Sequence, residues 1–170
     1  MQQAAASASL ATFNALPADA AEEQLRSCCA APLWIHTVVS RRPYASVNEV
    51  LTASDEILAS VGWAEIELAL AAHPRIGQRA AGSGAEARWS RQEQSAAATD
   101  DQRVAAELGD GNVAYERRFD RVFLICATGL SAAEILTALR GRLENDDETE
   151  AAVTRAELAK IVRIRLERIL

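Results

Sequence analysis

The 170-residue sequence predicts an all-α fold, a single-domain compact helical bundle. Three observations predict it. Ala, Leu, Glu, Arg and Gln, the good helix formers, dominate the composition. Only 8 Gly and 4 Pro are present, too few turn residues for a chain of many short strands. Finally, Ser-x-x-Glu at Ser46–Glu49, Ser90–Glu93 and Ser131–Glu134 has the spacing of a capping box that opens a helix.

The elements follow in order. Residues 1–9 are rich in Ala, Ser and Gln and read as a frayed lead, with the single domain over 10–170. Leu10–Leu16 is a short apolar segment that stops at Pro17. Pro17 suits the first turn of a helix running to about Ala30, and Pro32 starts the next, Leu33–Ser40. Ser46 caps a helix bearing Val47, Val50 and Leu51, and Ser54 or Asp55 can cap another through Ile57, Leu58 and Val61. After Gly62, Trp63–His73 is helical by pattern, with Ile66, Ala69, Leu70 and His73 on one face. Ile76–Ala87 is a Gly-bearing loop. The Ser90 box opens a helix toward Asp100. Asp101–Leu108 leads to a break at Gly109-Asp-Gly111, and Asn112 caps a helix to Phe119. Val122–Ala127 has strand-like composition but no partner, so a buried helix start or an extended passage is expected. Ser131 opens Ala132–Leu143. An acidic loop, Asn145–Glu148, precedes a last helix from about Glu150 to Ile169, with Val153, Leu158, Ile161 and Ile164 inward.

Charge and cysteine usage narrow the function classes. Lys+Arg 18 against Asp+Glu 24 leaves −6, the wrong field for nonspecific nucleic-acid binding. No run approaches the length of a membrane span. Three cysteines, two of them adjacent (Cys28 and Cys29), make no disulfide framework and read as small buried hydrophobes in a reducing compartment. The N-terminus lacks the basic residues of a signal peptide, so the expected location is cytoplasmic.

Candidate chemistry centres on few residues. His36 sits within a helix and reads as an interior or partly buried histidine. His73 precedes Pro74, which biases it out of the α region, so its helix should end there. A histidine at a helix C-terminus faces the negative end of the dipole, which favours imidazolium. It then either caps the helix or presents a protonatable ring at a cleft. Ser90 and Glu93 read first as a cap, a role compatible with anion binding at a helix N-terminus. Arg165 borders the apolar side of the last helix and, if buried, needs a carboxylate partner. Two histidines without ligand spacing give no zinc signature, and no phosphate-loop, dinucleotide or Gly-x-Ser-x-Gly motif occurs. Any enzyme here is expected to be a cofactor-free acid–base catalyst with no metal. The competing class is a non-catalytic helical binding or adaptor module.

A series of short motifs sharpens the choice. Cys28-Cys-Ala-Ala-Pro-Leu-Trp34, Ser40-Arg-Arg-Pro-Tyr44, Ala72-His-Pro-Arg-Ile-Gly77, Ser90-Arg-Gln-Glu-Gln94, Asn112-Val-Ala-Tyr-Glu-Arg-Arg-Phe119, Val122–Ala127 and Ile161-Val-Arg-Ile-Arg-Leu166 occur in this order. Together they resemble the 2-oxo-4-hydroxy-4-carboxy-5-ureidoimidazoline (OHCU) decarboxylases of purine breakdown, over nearly the whole chain after Leu10. The resemblance implies an all-α homodimer without cofactor, and conversion of OHCU to (S)-allantoin and CO2. By position it implies His73 as the catalytic histidine, acting as acid or base; Glu93 is a candidate hydrogen-bond partner for it if the fold brings the two together. It further implies substrate binding by Pro74, by Ser90, Arg91, Gln92, Glu93 and Gln94, by the stretch Phe123, Leu124, Ile125, Cys126 and Ala127, and by Arg165 rather than Arg163. One departure stands out: Asp120-Arg-Val122 replaces a glycine and an aromatic or proline that are frequent between Phe119 and Phe123 in the family.

Overall fold

A computed structural model describes residues 2–78, 83–95, 98–99 and 101–170. The described residues form nine α-helices and no strand. They fall into two compact units, Met1–Ala69 with Ala159–Leu170, and Leu70–Leu158.

The first unit contains α1 (Gln2–Ala15), α2 (Ala18–Arg26), α3 (Pro32–Ser40), α4 (Val47–Ser60), most of α5 (Trp63–Ala71) and the last part of α9 (Asp147–Ile169). Pro17 is the N-cap of α2, and Pro32 opens α3, positions where a missing N–H costs no helical bond. Helix α2 stops at Arg26, short of Ala30, because the Cys28 and Cys29 amides both turn back to the Leu25 carbonyl. Ser46 caps α4 by accepting from the Glu49 amide, as its motif predicts; the Glu49 carboxylate accepts from the Ala45 amide, one residue further back than in a closed box. The second cap expected at Ser54 or Asp55 does not exist, since α4 is continuous to Ser60. Ser54 is buried, and its hydroxyl accepts from the Trp34 indole N–H at 3.1 Å, so its polarity serves the core. Phe13, Leu25, Trp34, Leu58, Ile66, Val162 and Leu166 fill the interior of this unit. The Leu33 amide, an orphan donor in the first turn of α3, donates to Glu65 Oε2 at 2.9 Å. His36 is exposed rather than interior, with Nδ1 3.6 Å from Glu22 Oε1.

The second unit contains α6 (Ala85–Glu93), α7 (Gln102–Phe119), α8 (Ala132–Arg142) and the first part of α9. Asp101 caps α7 through the Arg103 and Val104 amides, and α7 then runs unbroken through Gly109 and Gly111. The expected break is therefore absent, and Asn112 is not a cap. A Cβ on Gly111 would collide with Leu139 Cδ2 and stand 3.3 Å from its Cγ, so this glycine sets the close approach of α7 to α8. Gly111→Ala gains about 1 kcal/mol in helix propensity. Against the fully buried Leu139 it loses about 1–3 kcal/mol to overpacking, so a lower melting temperature is expected by calorimetry. Helix α8 begins with the complete Ser131–Glu134 capping box. Along α9 the inward stripe is Glu150, Thr154, Leu158, Ile161, Val162, Arg165 and Leu166; Val153 and Ile164, expected inside, are only half-buried. Residues 122–127 adopt neither helix nor strand, as one of the two expected forms requires.

Candidate active site

The second unit holds most of the residues singled out by sequence. Helix α5 ends at Ala71, two residues before His73, whose amide closes a turn onto the Leu70 carbonyl at 2.9 Å. Pro74 forbids a further turn, and both residues are half-buried. The next three residues are fixed from three directions. Arg75 pairs with Glu116 of α7 through two parallel hydrogen bonds, Nε to Oε1 at 2.6 Å and Nη2 to Oε2, which raise the guanidinium pKa further. Asn112 Nδ2 donates to the Ile76 carbonyl at 3.0 Å. The Gly77 amide donates to Gln94 Oε1 at 3.1 Å, and Gly77 adopts a φ of +84°, a conformation suited to glycine. Arg75 is thus a clamp of this loop.

The Gln94 contact joins the His73-Pro74 loop to the end of α6. Ser90 and Glu93 do not form the expected capping box. Helix α6 starts at Gly84, its N-cap, so Ser90 and Glu93 lie in its second half, and Gln94 is its C-cap. At a spacing of three they share one face, and both are buried. Amides at Ser90–Glu93 lie beyond the first turn, so this stretch offers side chains, not helix N-terminal donors, to a ligand. Arg91 and Gln94 are half-buried, and Gln92 is exposed.

The second sequence-predicted stretch packs in the same core. Phe123, Ile125 and Ala127 join Ile76, Leu108, Tyr115, Phe119, Ile135 and Leu139 in one buried cluster, and Leu124 is also buried. Cys126 is half-buried, not interior. The departure at Asp120 is resolved by its backbone. Asp120 is the C-cap of α7 with φ 53° and ψ 34°, the left-handed position that ordinarily takes glycine, and its amide donates to the Glu116 carbonyl at 2.9 Å. Aspartate is among the few other residues that visit this region.

Beneath the stretch lies a buried ionic network that sequence reasoning missed. Glu150 accepts from Arg142 Nε at 2.8 Å, from the Tyr115 hydroxyl, and from Asn145 Nδ2 at 2.9 Å. Burial alone would raise the Glu150 carboxyl; these hydrogen bonds outweigh it and hold the group below the usual carboxylate range. Burial pushes the Tyr115 hydroxyl up, and donation to Glu150 adds to the shift. The one available signal was Glu150 and Thr154 at the i, i+4 spacing of the α9 core stripe.

Arg165 belongs to the first unit, on the last part of α9. It is 1% exposed, whereas Arg163 is half-exposed and pairs with Asp55 Oδ2 at 2.8 Å. Of the two arginines, the one implied by resemblance is the buried one. Cys29, in the same unit, has its thiol pushed up by burial to about 12, which keeps it protonated and unreactive. Among the described residues, no group of three His, Cys, Asp or Glu is placed to hold a metal ion.

The sequence profile described as OHCU decarboxylase matches residues 14–167. The chain belongs to the OHCU decarboxylase family. It is 32% identical over 151 residues to the uric acid degradation bifunctional protein TTL of Arabidopsis thaliana, covering 87% of this chain and 47% of that protein. The chain thus spans about half of that relative. It is also 32% identical over 141 residues to the 2-oxo-4-hydroxy-4-carboxy-5-ureidoimidazoline decarboxylase of Amia calva, covering 82% and 81% of the two chains. Among solved structures, an OHCU decarboxylase crystallised in the presence of (S)-allantoin matches with a TM-score of 0.74 at 29% identity, over 86% of this chain and 96% of that one. The described residues share that fold and are all-α, as the composition and the caps at Ser46 and Ser131 predict.

Proposed function

We propose that this protein decarboxylates OHCU to (S)-allantoin and CO2, with His73 as the proton donor. The observation that carries the reading is the family-wide match over residues 14–167, within which His73-Pro74 and Gln94 are joined through Gly77. The substrate carries a carboxylate on a carbon of an imine-like ring. Breaking that carbon–carboxylate bond releases CO2 and sends its electron pair toward the neighbouring ureido-bearing carbon and the ring nitrogen of its imine. The hydroxyl on the decarboxylated carbon then gives up its proton to become a ring carbonyl, and a proton must reach the ureido-bearing carbon from one face only. His73, at the exit of α5, is the positioned acid, and Glu93 is its partner on α6. Ser90 and Gln94 offer side-chain donors and acceptors to the ring carbonyl or ureido group. The Phe123–Ala127 stretch supplies backbone groups, and Pro74, Arg91 and Gln92 complete the implied binding set.

Arg165 is assigned to the substrate carboxylate on the family resemblance, supported by its burial within its own unit. A guanidinium can hold a carboxylate by two parallel bonds, whereas a lysine offers a point charge. Arg165→Lys is therefore expected to raise KM more than it lowers kcat, measured by steady-state kinetics on fresh OHCU. The resemblance further supports a homodimer, and an odd number of cysteines, two of them adjacent in sequence, supports a cytoplasmic setting. The activity is tested by trapping CO2 from freshly generated OHCU. One CO2 for each allantoin, released faster than in spontaneous decay, is expected; release at the uncatalysed rate by folded protein would leave a helical binding module.

A further inference from the structure

Residues 122–127 have no helical or sheet ladder to satisfy their main-chain groups, so other partners must hold this segment in place. Two partners are side chains of neighbouring helices. Arg142, the last residue of α8, donates from Nη1 to the Leu124 carbonyl at 2.6 Å. Glu157 of α9 accepts from the Cys126 amide at 2.8 Å. Phe123, Ile125 and Ala127 enter the buried cluster while Leu124 and Cys126 do not, the period-two alternation of extended chain, in which main-chain groups of alternate residues point to the same side. Anchors at Leu124 and Cys126 therefore grip one side of the segment and leave the Ile125 main chain facing the other. Arg142 is itself held fast. Its Nε donates to Glu150, its Nη2 to Thr154 Oγ1 at 3.2 Å, and its guanidinium lies 4.6 Å from the Phe123 ring centre. The carboxylate of Glu150 is in turn fixed by Tyr115 and Asn145.

We propose that Arg142 and Glu157 are positioning residues for the decarboxylation, setting the Phe123–Ala127 main chain as one wall of the substrate site. The inference rests on the decarboxylase reading, and it assigns the buried Arg142–Glu150 pair a role besides stability. A lysine at position 142 keeps the charge opposite Glu150 but cannot serve Glu150, Thr154 and the Leu124 carbonyl together. A misplacement near 1 Å in such a wall can cost about 10²-fold in rate.

The test compares wild type, Arg142→Lys, Tyr115→Phe, Glu157→Ala and Glu157→Gln by steady-state kinetics on OHCU and by amide hydrogen exchange across Phe123–Ala127. Arg142→Lys and Glu157→Ala are expected to lower kcat/KM by about 10- to 100-fold, mainly through KM, and to speed exchange in that segment. Glu157→Gln, which keeps an acceptor oxygen, restores the wild-type KM. Tyr115→Phe loosens Glu150 without touching Leu124, so it lowers the melting temperature and leaves KM unchanged. A wild-type KM and wild-type exchange in Glu157→Ala would overturn the proposal even if Arg142→Lys did not fold. So would an equal rise in KM in Tyr115→Phe, which would mark a general loss of stability. A wild-type protein without turnover would instead defeat the decarboxylase reading, and exchange alone would then decide whether the two side chains hold the segment.

Discussion

His73→Ala is expected to retain its fold and lose about 10²- to 10⁴-fold in OHCU turnover, the range set by removal of a positioned general acid. The fold should survive because His73 is half-buried and lies past the end of α5, where its backbone turn onto Leu70 does not need the imidazole. The loop that carries it is held by other side chains. Arg75 pairs with Glu116, Asn112 binds the Ile76 carbonyl and Gln94 binds the Gly77 amide. The variant therefore separates chemistry from architecture: kcat should collapse while the melting temperature stays near that of wild type. Stopped-flow absorbance on fresh OHCU, beside calorimetry on the same sample, measures both. A variant with wild-type turnover would remove His73 from the mechanism.

Glu150→Ala should be the most destabilising of the substitutions considered. It strands the Arg142 guanidinium, whose side chain is only 10% exposed, without its carboxylate, and deprives the Tyr115 hydroxyl and Asn145 amide of their acceptor. Breaking a buried pair in this way costs about 3–5 kcal/mol, a large part of the roughly 5–15 kcal/mol that a domain has in total. At about 2–4 °C per kcal/mol the expected fall in Tm is roughly 6–20 °C. Replacing the pair by well-packed apolar residues would cost far less, so the large loss reports an orphaned charge and not the worth of the pair. The pH dependence follows from the lowered Glu150 carboxyl. Its folded-state value lies below the unfolded one, so its contribution is present above the unfolded carboxylate value of about 4.3. That contribution is lost as pH falls through the folded one. Urea unfolding at neutral and acidic pH should show the gap between wild type and Glu150→Ala narrow in acid.

Local signals served best where one residue decides one terminus. Pro17, Pro32, Ser46 and Ser131 each stand at the helix start that their chemistry predicts. The same signals misled where packing had the final say. Ser90-x-x-Glu93 has capping-box spacing, but residues three apart also share a face inside a helix, and here α6 had already begun at Ala85. Gly109 and Gly111 read as a break, yet Asp101 caps the helix ahead of them and Leu139 fills the space that a side chain at Gly111 would occupy. Ser54 looked like a cap and is the acceptor for a buried tryptophan. In the candidate site, His73, Pro74 and Gln94 could be singled out from ordered motifs. Their supports could not. Glu116 reaches Arg75 across 41 residues and Asn112 reaches Ile76 across 36, distances over which a linear pattern carries no pairing information. The Arg142–Glu150 pair was hidden for a related reason. A charged residue at the start of a helix reads as solvated until its partner is known.

The most direct measurement follows freshly generated OHCU by circular dichroism, with and without the protein, and records both the rate and the handedness of the allantoin formed. Spontaneous decay gives a racemic product, so handedness separates catalysis from background even where rates are close. Rapid appearance of the (S) enantiomer alone, lost in His73→Ala, is the predicted result. Racemic allantoin at the uncatalysed rate from folded protein would contradict the account.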